Sequence, residues 1–160
     1  MKNGGAVFGG IIVLLGVFLS LFIEELGWYN WDLIISRGWI NSFGGSGVHA
    51  GSDIDYEYFP EDIIDMLSGI LAVAGGLLLL TRSRGMCILG AIIVLVGCGI
   101  FLYDLAQNNF LNNLADYIAD GNWFWNEKTV INITYYMRIG YGWIMTGAGG
   151  IIGLIGGRDK

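Results

Sequence analysis

The chain has 160 residues, of which 54% are hydrophobic and 14% charged, with 27 glycines, one proline and a formal net charge of −6. Soluble domains carry about 25% charged residues; half that charge, with a mean hydropathy of +0.60, argues against a soluble globular enzyme and for a membrane-embedded protein. No Gly-X-Y period accompanies the glycine, which excludes collagen-like and low-complexity readings.

Runs without an ionisable residue occupy 4–23, 66–81, 85–103 and 139–157. A helix needs about 20 mainly apolar residues to cross the hydrocarbon core. The predicted fold is therefore an all-α membrane protein: a single domain over 1–160, a bundle of four transmembrane helices at about 4–23, 63–80, 86–103 and 135–157. The first run reads as a retained helix rather than a cleaved signal. It is long for an h-region, only Lys2 precedes it as a positive n-region, and no small-x-small site follows.

The first connecting loop is 24–62. Its opening, EELGWYNWDLIISR at 24–37, is too densely apolar for a solvated helix and reads as an amphipathic segment lying in the interface. A Gly/Ser-rich turn at 43–52 follows, then DIDYEY at 53–58 alternates acid and apolar, the period of a half-buried strand. Pro60 ends that segment, and Glu61 and Asp62 suit the N-terminus of the second helix. The second loop is 104–134. Leu105, Leu111, Leu114 and Ile118 extend the third helix to about Asp120, where Gly121-Asn122 ends it. The run 130–133 is a candidate partner for 53–58 in a short β-pairing.

Charge sets the predicted orientation. The termini and the 81–85 turn carry Lys2, Arg82, Arg84, Arg158 and Lys160 against Asp159, a net of +4, and the other side carries −10. Lys and Arg favour the cytoplasmic side in short loops, so both termini are predicted cytoplasmic and both long loops extracellular. All tyrosines and tryptophans fall on the acidic side. Trp28, Trp31, Trp39, Trp123, Trp125 and Trp143 thus form either the core of a small folded outer layer or an aromatic surface for a partner.

Glycine lets membrane helices approach closely. Gly149, Gly153 and Gly157 form GxxxGxxxG, and Gly5 and Gly9 repeat the spacing in the first helix, a glycine zipper. The zipper serves packing within one chain or between copies. Cys87 and Cys98 sit eleven residues apart on the third helix, about 16 Å, too far for a mutual disulfide. Asp65 and Arg138 each share a helical face with small residues and are predicted to pair, because an unpaired intramembrane ion costs several kcal/mol. Asp104 is the alternative partner, and snorkelling of both to the headgroups is the competing reading.

The chemistry on offer is sparse. No acid lies at mid-membrane for ion coupling, the only histidine, His49, is in a loop, and no CxxC or phosphate loop occurs. His49, Asp53, Asp55 and Glu57 compose a set able to gather a divalent cation such as Ca²⁺, with plain solvation as its rival. The acids resemble the start of an EF-hand loop, although Tyr58 occupies the position that needs glycine. Asn132-Ile133-Thr134 is a glycosylation sequon. Four spans with a longer first loop resemble claudins and tetraspanins in topology alone. Gly27-Trp28 and Asn30-Trp31 occur, but the loops hold no cysteine and there is no Cys-Cys-Gly, so membership of neither family follows.

These features predict a non-enzymatic interaction protein, a homo-oligomer or an accessory subunit of a membrane complex, with lipid and other membrane subunits as partners. No cofactor and no nucleic acid are expected. The alternative is an oligomeric cation-favouring pore whose outer mouth carries Glu24, Glu25, Asp62, Asp65 and Asp104; a membrane enzyme ranks third.

Overall fold

The structure, a computed structural model, describes residues 4–33, 36–50, 53–57, 59–60, 66–81, 83–108, 124–130 and 133–158. Four helices lie among them: α1 (Gly4–Leu19), α2 (Leu67–Leu79), α3 (Arg84–Gln107) and α4 (Tyr141–Gly156). Six strands lie among them as well: β1 (Tyr29–Leu33), β2 (Ser36–Ile40), β3 (Ser46–Ala50), β4 (Asp53–Tyr56), β5 (Trp125–Val130) and β6 (Ile133–Ile139). They form one antiparallel sheet in the order β4-β3-β2-β1-β6-β5.

The all-α expectation is therefore wrong, and so is the tetraspan four-helix bundle. The segment 24–37 makes a single 3-10 turn (Glu24–Leu26) and then strand, where an interfacial segment was expected. Strand β6 takes up residues assigned to the start of the fourth helix. Its sequence ITYYMRI explains why: Met137 and Ile139 are buried while Tyr136 and Arg138 between them are half-buried, the period of two that a sheet imposes. Strand β4 does form within 53–58, but it pairs with β3, and 130–133 closes onto its own neighbour as the β5–β6 hairpin.

Length overturns the multi-pass membrane placement. Among the described residues only α3, at 24 residues, is long and apolar enough to cross a membrane. Helices α1, α2 and α4 have 16, 13 and 16 residues, about 24, 20 and 24 Å at 1.5 Å per residue, short of the roughly 30 Å hydrocarbon core. With one qualifying helix, the prediction of four crossings and of both termini on one side loses its basis.

The helices pack in a closed ring, α1 on α4, α4 on α3, α3 on α2 and α2 on α1. Glycine sets the spacing. A Cβ on Gly9 would lie 2.5 Å from the carbonyl oxygen of Gly149 and 2.6 Å from the nitrogen of Gly153, and one on Gly75 would lie 2.5 Å from the oxygen of Gly90. Gly5 meets Gly156, and Gly157 turns instead toward Cys87 on α3. The zipper residues thus make contacts inside one chain, Gly5, Gly9 and Gly149 against backbone and Gly153 and Gly157 against the side chains of Leu79 and Cys87.

Side chains of the sheet layer complete the end of α1. Helices leave their last four carbonyls without intrahelical donors, and all four find one. Gly16 accepts from Trp28 Nε1 at 3.3 Å, and Val17 from Ser20 Oγ at 2.6 Å and Ser42 Oγ at 3.0 Å. Phe18 and Leu19 accept from the backbone of Leu21, Phe22 and Ile23. Ser42 lies in the β2–β3 turn, built by Asn41 Oδ1 accepting from the N–H of Phe43 (2.8 Å) and Gly45 (3.1 Å), with Gly44 at φ 80°. The turn is wedged against α2, where Ser68 Oγ donates to the Ser42 carbonyl at 3.1 Å and Gly69 leaves space for the Phe43 ring.

One contrast checks this packing. Gly9→Ala forces a methyl into backbone on two sides and is expected to cost about 3 kcal/mol. Gly147→Ala, with nothing within 4 Å of its added Cβ, is expected to be neutral or to gain up to about 1 kcal/mol from helix propensity. Unfolding of both variants under one condition reads the difference.

Candidate functional site

Successive side chains of a strand point to opposite faces, and partners across a ladder share a face. The register therefore sorts the sheet. Tyr29, Trp31, Met137 and Ile139 belong to one face and are buried. The opposite face gathers Asn30, Asp32, Arg37, Trp39, His49, Tyr136 and Arg138 through the pairs Asn30↔Arg138, Asp32↔Tyr136, Asp32↔Arg37 and Arg37↔His49. This polar face is the candidate site.

Its first half is an ion network around the 3-10 turn. Arg37 Nε lies 2.5 Å from a Glu24 oxygen and 4.0 Å from an Asp32 oxygen, with its Nη2 4.0 Å from Glu25. His49 Nε2 is 3.3 Å from the other Glu24 oxygen. The Trp39 ring roofs this cluster, 5.6 Å from His49 and 5.1 Å from Tyr56, and lies over Gly47, which has no side chain to displace it. Tyr56 in turn donates to the Leu21 carbonyl at 2.6 Å, tying the face to the exit from α1.

Its second half is Arg138, next to the entrance of α4. The guanidinium carbon lies 4.6 Å from the centre of the Tyr136 ring, 5.3 Å from Tyr141 and 5.7 Å from Trp125. These are cation–π distances. Every ion pair found among the described residues involves Arg37 or His49, so Arg138 is held by rings there and Arg37 by carboxylates. Burial pushes the Tyr136 phenol above its ordinary pKa, and Asp32 adds to the rise while Arg37 and Arg138 oppose it. Burial alone raises Tyr29 on the other face.

The sequence-predicted residues distribute unevenly over this geometry. His49 pairs with Ile54 across the β3–β4 ladder, so Asp55 falls on the opposite face from it, and Glu57 lies beyond the strand; the side chain of Asp53 lies outside the described residues. Among the described residues no three His, Cys, Asp or Glu groups gather as metal ligands. Arg138 stands in a strand rather than on a helix, and Asp65, its expected partner, lies outside the described residues, as do Asp62, Trp123 and Asn132. Asp104 lies on α3 at a cleft of about 310 Å³ shared with Ile40, Phe101 and Asn108. Trp28, Trp31 and Trp39 are buried, and Trp143 donates to the Cys98 carbonyl at 3.1 Å. Trp125 is 46% exposed.

Sequence reasoning missed the Glu24–Arg37–His49 network and the role of Tyr136. The signal for Tyr136 was present in the alternation of ITYYMRI; the network had none, because its members meet only through strand register. Compared with known proteins, the chain matches no family model and no curated sequence.

A phenol whose folded pKa is raised keeps its proton after the unfolded chain has lost it, so stability falls as pH climbs past the unfolded value. Folding stability is therefore expected to decline above the ordinary tyrosine pKa of 10.0, with Tyr136→Phe showing a shallower decline. Thermal unfolding between pH 9 and pH 11, paired with phenolate absorbance, measures both.

Proposed function

We propose that this protein is a non-enzymatic assembly protein working in contact with lipid. The apolar outer faces of the helices meet acyl chains, and the polar face of the sheet is presented to another copy or to a partner subunit. The observation that carries this reading is an apolar collar around the whole helical ring. Phe8, Ile11, Leu15 and Phe18 on α1 are exposed, as are Leu77 on α2, Leu89, Ile92 and Val96 on α3, and Ile144, Ile151 and Ile155 on α4.

The spread of exposed apolar residues over all four helices supports lipid as the occupant. The largest apolar patch on a typical monomer covers about 300–600 Å² on one side. A protein partner covers one side too, whereas acyl chains adapt to apolar surface wherever a helix presents it. Helix α3 supports the same choice: its most apolar window has a mean hydropathy of 2.7 yet is only 39% buried, while the core helix of a water-soluble domain is mostly buried. Lipid contact of this kind sets no number of crossings. The glycines at the helix contacts are engaged within the chain, so assembly falls to the sheet face and its charged groups.

Flotation with phosphatidylcholine vesicles tests the lipid half. The full chain is expected to float with the vesicles and to need detergent to stay monodisperse. A folded, monodisperse chain in detergent-free buffer that stays at the bottom of the gradient would overturn the reading. Mass in mild detergent tests the assembly half: multiples of 17.5 kDa or a larger defined complex are expected, and a lone 17.5 kDa species is the contrary result.

A further inference from the structure

Arg138 stands at the junction of the two layers, two residues after Tyr136 in β6 and three before Tyr141, the first residue of α4. Below it, Tyr141, Ile144, Ala148, Ile151 and Ile155 follow one another at spacings of three and four and are all exposed. Residues so spaced share one helical face. An exposed apolar stripe thus runs down α4 from a guanidinium at its head. The rings around that guanidinium engage its charge without neutralising it. None of the ion pairs found among the described residues involves Arg138, and the N–H donors in its guanidinium plane are the groups that would meet an anion. Trp125 and Tyr141, each 46% exposed, are the amphipathic rings suited to the level where headgroups meet acyl chains.

We infer that Arg138 binds the phosphate of a phospholipid whose acyl chain lies along the α4 stripe. The inference rests on the lipid reading above and names the headgroup chemistry. A guanidinium matches a phosphate with two parallel N–H···O bonds, and the stripe supplies what a free phosphate lacks, an apolar surface continuous with the anion site. Arg37 is unsuited to the same task because the carboxylates of Glu24, Glu25 and Asp32 already balance its charge.

The test uses the full chain in nonionic detergent, titrated with phosphatidylglycerol, with diacylglycerol of the same acyl chains, and with inorganic phosphate, and read by native mass spectrometry. Wild-type protein is expected to retain phosphatidylglycerol at least about tenfold more tightly than diacylglycerol, the size of one or two charge-assisted hydrogen bonds. Arg138→Gln is expected to abolish that preference, and Arg138→Lys to retain part of it as a point charge. Near-ultraviolet dichroism of the buried tryptophans confirms that each variant is folded. Should Arg138→Gln misfold, the comparison of wild type with Arg138→Lys decides, because an unchanged preference there contradicts bidentate capture.

Equal retention of phosphatidylglycerol by folded Arg138→Gln would overturn the assignment. So would inorganic phosphate competing as strongly as the lipid, which marks a free-anion site. Vesicle flotation separates this failure from that of the broader reading: a chain that floats on phosphatidylcholine but shows no dependence on Arg138 loses only the headgroup site.

Discussion

The last turn of α1 leaves four carbonyl oxygens that need donors in surroundings where water is excluded, and the architecture is organised around supplying them. An unsatisfied buried acceptor costs about 1–3 kcal/mol. Trp28 and Ser42 reach the Gly16 and Val17 carbonyls from the residue just before β1 and from the β2–β3 turn, so the end of the helix and the position of the sheet are one arrangement. Ser42 also accepts from Ser68 through its own carbonyl. One turn thereby connects α1, α2 and the sheet.

The same constraint propagates through the glycine contacts. Gly9 against Gly149 and Gly16 against Thr146 and Gly142 hold α1 and α4 at backbone distance. The chain leaves α1 into β1 and enters α4 from β6, so helices held this close deliver their attached strands side by side. β1 and β6 are accordingly neighbours at the centre of the sheet, with the Gly140 N–H donating to the Trp28 carbonyl at 2.9 Å. Gly140 has no room for a side chain, because a Cβ there would collide with the Gly27 carbonyl. That junction joins a four-strand meander to the β5–β6 hairpin, and Arg138 takes its ring-lined place beside the head of α4 as a result.

Function follows from what this packing leaves outside. Small residues are spent on helix contacts, and exposed Phe, Leu and Ile stand on the outward faces of the four helices. On the polar face of the sheet the two arginines divide the charge into a neutralised half at Arg37 and a half at Arg138 surrounded by rings. The arrangement suits binding at a boundary between apolar and polar surroundings, with no nucleophile set against a base on that face among the described residues.

The sequence by itself determined that four apolar segments would be helical and that rings and acids would separate from them, because composition and local period need no partner to be read. The strand at 53–56 was legible for the same reason, and the alternation in Ile133–Ile139 was available in the residues although overshadowed by the apolar run that follows. Only the tertiary structure decided where the helices stop. At the end of α1, Ser20 and the backbone of Leu21, Phe22 and Ile23 close onto the last carbonyls. Donors from Trp28 and Ser42 complete that end from further along the chain, and the shortened length is what removes the four-crossing reading. The tertiary structure alone also decided which strands pair and which charges meet. Glu24, Arg37 and His49, or Trp125, Tyr136 and Arg138, come together through cross-strand register, a relation between distant residues that local pattern does not encode.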